Sequence, residues 1–317
     1  MNYRAIIVLL FVVAMMVGCR NTPKNRPAEA EAMAIANQGG AKSPRVFIPA
    51  LPPSTMTEEH KGEYMREHYW DKFDFADTTF IAEMDSARML TAFAVYAVGY
   101  VPDTLAYKYM PRLMQRASKS KRMYEYFMWL AQTVLHDPNS HLRSDERYIP
   151  VLENVVQSEW LDEYERMPYE FDLEIARQNR INRPANDFVF TLASGKKSRL
   201  YQIRADYTLI FISNPGCPMC RDVKEQIISS PMLQELIERG DLKILVIYPD
   251  SDIVAWRERL DDYPKSWING FDDGQRIESE RLYDLRAIPA LYLLDKEKRV
   301  MAKDCTDVAH IEKLLSE

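Results

Sequence analysis

Two unbroken apolar runs, Tyr207-Thr208-Leu209-Ile210-Phe211-Ile212-Ser213 and Leu242-Lys243-Ile244-Leu245-Val246-Ile247-Tyr248, constrain the fold of this 317-residue chain more than any other feature. A strand with one wet face alternates apolar and polar residues; runs without alternation predict strands buried on both faces of a sheet. The segment between them has helical periodicity, interrupted at Ser230-Pro231 and ended near Gly240. Strand, helix and strand in that order predict a right-handed parallel unit. The helix opens on Asn214-Pro215-Gly216-Cys217-Pro218-Met219-Cys220, where the first apolar run stops. Two thiols three residues apart then lie on one first turn, where unpaired backbone N–H groups and the helix dipole favour an anion. In such motifs a thiol pKa falls from about 8.5 toward ~3.5–7.5, so the spacing predicts a redox pair with Cys217 as attacking thiolate and Cys220 as resolving thiol. A static disulfide and a zinc half-site are the alternatives. Zinc would need a second cysteine or histidine pair, which neither Cys19 nor Cys305 provides, so no metal is expected.

The rest of the C-terminal part fits a sheet. At Arg183-Pro184-Ala185-Asn186 the apolar period changes from about four to two, and Asp187–Leu192 and Ser198–Ile203 flank a hairpin turn. Further helices are expected over Ser251–Leu260 and near Glu278–Leu285, with a short strand near Trp267–Phe271 between them. A second hairpin pairs Ala290–Leu294 with Arg299–Lys303, and a helix over Val308–Leu315 closes the chain.

Ahead of this, from Met56 to about Asn182, the pattern is helical and aromatic-rich. Helices are expected from Thr57, over Asp77–Gly99, and then over Asp103–Ser118, Met123–His136, Asp145–Gln157 and Trp160–Gln178, with breaks at Asp137-Pro138-Asn139 and at Pro168. His60, His68, His136 and His141 have no metal-ligand spacing, and His68 beside Tyr69 and Trp70 is expected on a packed face. The Met and aromatic stripes predict core.

The N-terminus carries Arg4, an apolar run over Ala5–Val17 and then Gly18-Cys19, the pattern of a secretory signal too short to span a bilayer comfortably. Met16-Val17-Gly18-Cys19 resembles the bacterial lipobox, which implies that Cys19 is acylated and becomes the mature N-terminus. An ordinary signal peptide with an incidental cysteine is the alternative. Residues 20–56, rich in Pro, Ala and Gly, read as a flexible tether. The organisation expected is therefore a signal peptide over 1–18, a tether over 19–56, a helical domain over 57–182 and an α/β domain over 183–317. With a net charge of −6 and no basic stripe, nucleic acid is not an expected partner. The 10 glycines form neither a P-loop nor a dinucleotide fingerprint, and no cofactor is expected.

The element order over about 185–317, with Cys217-Pro218-Met219-Cys220 after the first parallel strand and Ile288-Pro289 before the second hairpin, resembles the thioredoxin fold. It is similar in particular to the membrane-tethered thiol-disulfide oxidoreductases of the bacterial cell envelope. Tyr283–Asp295 resembles their cis-proline segment, and Phe188–Gly195 their additional N-terminal hairpin. With Trp70-Asp71 and Tyr248–Trp256, the chain is similar to envelope lipoproteins that join a helical domain of unknown function to such a domain. The fold class implied is a two-domain α+β protein, an all-α N-terminal domain followed by a thioredoxin-like domain with a central mixed sheet flanked by helices. The resemblance implies disulfide exchange with envelope proteins through Cys217 and Cys220, with the Ile288 backbone beside Pro289 as a substrate-binding edge. It also implies a membrane electron donor or acceptor and a lipid-anchored place on the periplasmic side of a membrane. Three positions depart from thioredoxin: its tryptophan before the first cysteine is Gly216, its Gly-Pro dipeptide is Pro218-Met219, and its buried acid six residues upstream is Phe211. A non-catalytic thioredoxin-fold scaffold whose helical domain recruits partners is the alternative function, and Cys305 is left over as an inert or regulatory thiol.

Overall fold

The computed structural model describes residues Pro44–Ser316; the expected signal peptide, Cys19 and the first part of the expected tether lie outside them. The described chain forms two compact units that divide between Val134 and Leu135. Among the described residues no single helix is long and apolar enough to cross a membrane.

The first unit is helical: α1 (Glu58–His68), α2 (Phe80–Glu83), α3 (Ser86–Ala94), a π-helical stretch (Val95–Tyr100), α4 (Ala106–Ala117) and α5 (Lys121–Leu135). Its core is aromatic. Trp70 meets Phe73, Tyr96 and Phe127 edge-on, with ring centroids 5.8, 5.6 and 5.4 Å apart, a packing that aromatic quadrupoles favour. The single helix expected over Asp77–Gly99 is three pieces. Asp85 starts a helix of its own by accepting the N–H groups of Ala87 (3.0 Å) and Arg88 (3.1 Å). Asp77 instead takes the N–H of Thr79 at 3.0 Å and pairs with Arg45 at 2.8 Å. His68 is exposed rather than on the packed face: Met65 and Tyr69 point inward, while the His68 ring sits 2.7 Å from the Asp71 carboxylate. The described end of the expected tether is also seated. Phe47, its one aromatic ring, stacks on Trp70 at 4.8 Å, and the Arg45 N–H donates to the Glu83 carbonyl at 2.9 Å.

The second unit opens with α6 (Asp145–Val156) and α7 (Glu163–Arg177), then β1 (Val189–Leu192), β2 (Lys197–Arg199), β3 (Tyr207–Ile212), α8 (Pro218–Ser229), α9 (Pro231–Arg239) and β4 (Leu242–Tyr248). It continues with α10 (Ile253–Glu258), β5 (Ile268–Phe271), α11 (Arg276–Ser279), β6 (Ala290–Leu294), β7 (Val300–Cys305) and α12 (Val308–Ser316). Pro168 does not break α7, which runs through it from Glu163. It is the sixth residue, so only one first-turn bond is lost, and an Asp162–Glu165 capping box secures the start. The helix expected near Glu278–Leu285 is the single turn α11, because the Asp272 carboxylate draws in the Ile277 N–H at 2.8 Å and Arg281 adopts a left-handed φ of 51°.

The sheet is seven-stranded and mixed, in the order β2-β1-β5-β4-β3-β6-β7. β3, β4 and β5 are parallel, and β6 lies antiparallel to β3, with Phe211 opposite Leu291 and Ile212 opposite Ala290. Alternation along the central strands makes two cores. Leu209, Phe211, Ile244, Val246, Leu291 and Leu293 face α8, α9 and α12. Ile210, Ile212, Leu245, Ile247, Tyr292 and Leu294 pack on the other face with Phe188 and Phe190. α6 and α7, whose periodicity matched the helices before them, belong to this unit. The Lys303 ammonium on β7 binds the carbonyls of Ala176 (2.9 Å) and Gln178 (2.6 Å) and the Asp145 carboxylate (2.6 Å).

Candidate functional site

The turn that delivers the cysteines follows from three residues. Asn214-Pro215-Gly216-Cys217 closes with the Cys217 N–H on the Asn214 carbonyl at 3.3 Å. Pro215 supplies the fixed φ of its second position and Gly216, at φ 77°, the left-handed third, the requirements of a type II turn. A tryptophan at residue 216 would be strained there. Cys217 is then the N-cap of α8 and Pro218 its first residue, where a missing N–H costs nothing.

The N–H of Cys220, one turn in, donates to Cys217 Sγ at 3.2 Å. Cys220 itself is buried, Cys217 is half-buried, and both thiols are free. Met219, 58% exposed, stands beside them at the surface. From the loop just before β6, the strand next to β3, the Ile288 carbonyl comes within 4.0 Å of Cys217 Sγ, and the Ile288–Pro289 peptide bond is cis. The structure thus gathers Cys217, Pro218, Met219, Cys220, Ile288 and Pro289 at one end of the central strands. Cys19 lies outside the described residues. Cys305 is on β7, its sulfur 3.8 Å from the Leu291 carbonyl.

Burial pushes the Cys220 thiol up to about 11, and the neighbouring Cys217 sulfur adds to the rise. The Ser213 hydroxyl and the Asn214 backbone work in the opposite direction, favouring the thiolate. Ser213 is buried, and its hydroxyl lies 2.7 Å from the Tyr263 hydroxyl. Phe211 shares an apolar cluster with Cys220, so that strand position brings no carboxylate to the pair.

A second set of charges supports the loop that carries Ile288. The Asp284 carboxylate accepts hydrogen bonds from Arg286 at its backbone N (3.0 Å), Nε (2.9 Å) and Nη2 (2.9 Å), and from Arg143 Nη2 at 3.1 Å. Arg143 also reaches Asp304 at 2.5 Å, and Arg286 pairs with Asp172, whose carboxylate lies 3.5 Å from His136 Nε2. Sequence reasoning missed these charges and both hydroxyls. Asp284 and Arg286 stood next to Ile288-Pro289, and Ser213 ended the strand that leads to the thiols, but no spacing rule marks Arg143 or Tyr263.

A family model described as a domain of unknown function, DUF5106, matches residues 18–179. No curated protein matches the chain. Among solved structures, a thioredoxin-like protein from Bacteroides caccae is 40% identical, over 86% of this chain and 98% of that one, with a TM-score of 0.79. The C-terminal domain of an uncharacterized protein from Bacteroides fragilis is 45% identical over 44% of this chain and 99% of its own, with a TM-score of 0.43. The thioredoxin domain of a thiol-disulfide oxidoreductase from Bacteroides vulgatus is 16% identical over 42% of this chain and 96% of its own, with a TM-score of 0.37. With that family model over 18–179 and the Bacteroides caccae match over most of the chain, this protein belongs to the DUF5106 family, joined here to a thioredoxin-like α/β domain.

Proposed function

We propose that the chain is a thiol-disulfide oxidoreductase that exchanges disulfides with proteins of the bacterial envelope through Cys217-Pro218-Met219-Cys220. The observation that carries this reading is the start of α8, where a half-buried Cys217 sulfur accepts the Cys220 N–H at 3.2 Å while the Cys220 thiol lies buried below. Negative charge on the outer sulfur during exchange is thereby met by an N–H donor. The Cys217 thiolate attacks a client disulfide, forming a Cys217–client bond and releasing the other client sulfur as a thiolate. Cys220 then attacks Cys217 Sγ, the Cys217–Cys220 bond forms, and the second client sulfur leaves; two electrons have passed from the pair to the client. The reverse sequence oxidises a client dithiol. A client strand lying along the Ile288 backbone, 4.0 Å from Cys217 Sγ, brings its sulfur to the attacking atom. A membrane electron donor or acceptor resets the pair.

The place proposed for this chemistry is the periplasmic side of a membrane, with the chain held by lipid on Cys19. Support comes from Arg4, the apolar run Ala5–Val17 and Gly18-Cys19. Cys19→Ser should release the protein from the membrane fraction or leave it uncleaved, and a processed, membrane-bound product would overturn the anchor.

The exchange reading is tested by trapping. Cys220→Ser leaves the attacking thiol without its resolver, so mixed disulfides with envelope proteins should accumulate; Cys217→Ser should trap none. Purified protein should also reduce a small model disulfide, and Cys217→Ser should lose this by more than about a hundredfold. Full exchange without Cys217 refutes the assignment, and no exchange by the intact protein makes the domain a binding module.

A further inference from the structure

Cys220 must lose a proton to act, yet it is buried, and residue 211 beside it is phenylalanine. Alternation along β3 places residue 213 on the same side as Leu209 and Phe211, the side that packs against Cys220. There the Ser213 hydroxyl is buried, near enough to the Cys220 thiol to favour its thiolate, and lies 2.7 Å from the Tyr263 hydroxyl. Tyr263 is held by its ring, against Phe211 at 6.4 Å and Trp267 at 6.1 Å. Ser213, Pro215 and Tyr263 together line a partly open hollow beside the turn, with Trp256, Arg259 and Asn269 on its other walls.

We infer that Ser213 and Tyr263 are the proton path of the resolving cysteine, taking the place of a buried acid. As Cys220 attacks the mixed disulfide, its S–H bond breaks and the proton passes to Ser213 Oγ. Ser213 hands its own proton to Tyr263, and Tyr263 releases one to water in the hollow. The electron pair left on Cys220 Sγ makes the Cys217–Cys220 bond, the Cys217–client bond breaks, and the client departs as a thiolate. Run backwards, the path returns a proton to Cys220 when the pair is reduced. The charged and titratable groups around it are Cys217, Asp262, Arg259 on the wall of the hollow, and Lys224, whose ammonium lies 5.8 Å from the Tyr263 ring centre and donates to the Asp262 carbonyl at 2.9 Å.

This inference rests on the exchange reading above, and an aromatic disulfide such as dithiobis-nitrobenzoate separates the two. In the full chain carrying Cys19→Ser and Cys305→Ser, the first nitrothiolate released reports attack by Cys217 and the second reports resolution by Cys220. Ser213→Ala and Tyr263→Phe should each slow the second release about tenfold at pH 7, the scale of losing one hydrogen bond to a charged group. Ser213→Thr, which keeps the hydroxyl, should stay within about threefold of the parent chain. At pH 10, where hydroxide takes the proton directly, the slowed variants should converge on the parent, whereas a merely structural defect would persist at every pH. A first release no faster than that of a small free thiol would count against the exchange reading. A normal first release with an unaltered second one, or with a pH-independent slowing, overturns the proton path alone.

Discussion

Replacing Arg143 by Met removes one cation from a buried cluster and keeps much of the side-chain volume. Arg143 is 15% exposed, and its guanidinium contacts Asp304 at 2.5 Å and Asp284 at 3.1 Å, side chains that are 6% and 5% exposed. With Asp145 and Asp172 the cluster has four carboxylates, facing the basic side chains Arg143, Arg286 and Lys303. Asp284 keeps Arg286 after the replacement, but Asp304 loses its close partner. Breaking a buried pair from one side costs about 3–5 kcal/mol, because a charge is left uncompensated. At roughly 2–4 °C per kcal/mol for a domain of this size, the Tm should fall by about 6–20 °C. The pH dependence carries the finer test. Burial pushes the Asp304 carboxyl up to about 6, helped by the Asp284 and Asp145 charges and opposed by Arg143. The folded protein therefore holds a proton that the unfolded chain, with a pKa of about 3.9, has released. Asp304's contribution is complete below that pH and is lost as pH rises through 6. Arg143→Met should consequently cost more at pH 8 than at pH 5, where Asp304 is largely neutral. Adding Asp304→Asn should restore about half of the loss at pH 8. Calorimetry across this range decides it: a fall under about 3 °C at pH 8, or a double variant no better than the single one, refutes the account.

Gly270→Ala should lower the Tm by several degrees, since the added Cβ would stand 2.7 Å from Ile247 Cδ1 and 2.8 Å from Phe190 Cδ2, an overpacking worth about 1–3 kcal/mol; an unchanged Tm would show that the β1–β5 seam is looser than described. Burial, aided by the Asp304 charge, pushes the Cys305 thiol up to about 12. Its alkylation at pH 8 should therefore run roughly a thousandfold slower in the folded protein than in urea, and equal rates would make it an accessible, reactive thiol.

The second unit was the more legible half. Unbroken runs at 207–213 and 242–248 marked the central parallel strands, Pro231 and Gly240 punctuated α8 and α9, and the hairpin over 290–303 is β6 and β7. Each of these signals is local, carried by residues within one element. The departures from the sequence reading have local causes in one case and distant ones in others. Pro168 was expected to break the segment Trp160–Gln178, but its position in the first turns and the Asp162 box let α7 continue. Asp77 and Asp85 are equally good caps on paper, and only the pairing of Asp77 with Arg45 leaves Asp85 to start α3. α6 and α7 repeat the helical period of the first unit, and that period is silent on whether a helix packs on other helices or on a sheet. The family model over 18–179 ends beside the expected boundary at 182, while Lys303, more than a hundred residues downstream, ties both helices to β7.

The same division separates what was legible at the site. The two thiols sit three apart in one turn, so their spacing alone placed Cys217 above Cys220, and Pro215 and Gly216 already spelled the turn that presents them. The chemistry available to a thiol pair is set by neighbours, and these come from other elements: Ile288 from the loop before β6, Tyr263 from the loop before β5. Ser213 is the instructive intermediate case. Read as the last residue of an apolar run, it looked like a strand end; read by alternation, with Leu209 and Phe211 on its side, it had to lie beneath α8. A hydroxyl at that point is costly to bury without partners. The Tyr263 hydroxyl, 2.7 Å away, meets that need, so the requirement that Ser213 be satisfied also ties the end of β3, beside the buried thiol, to the loop before β5 and, through the hollow, to solvent.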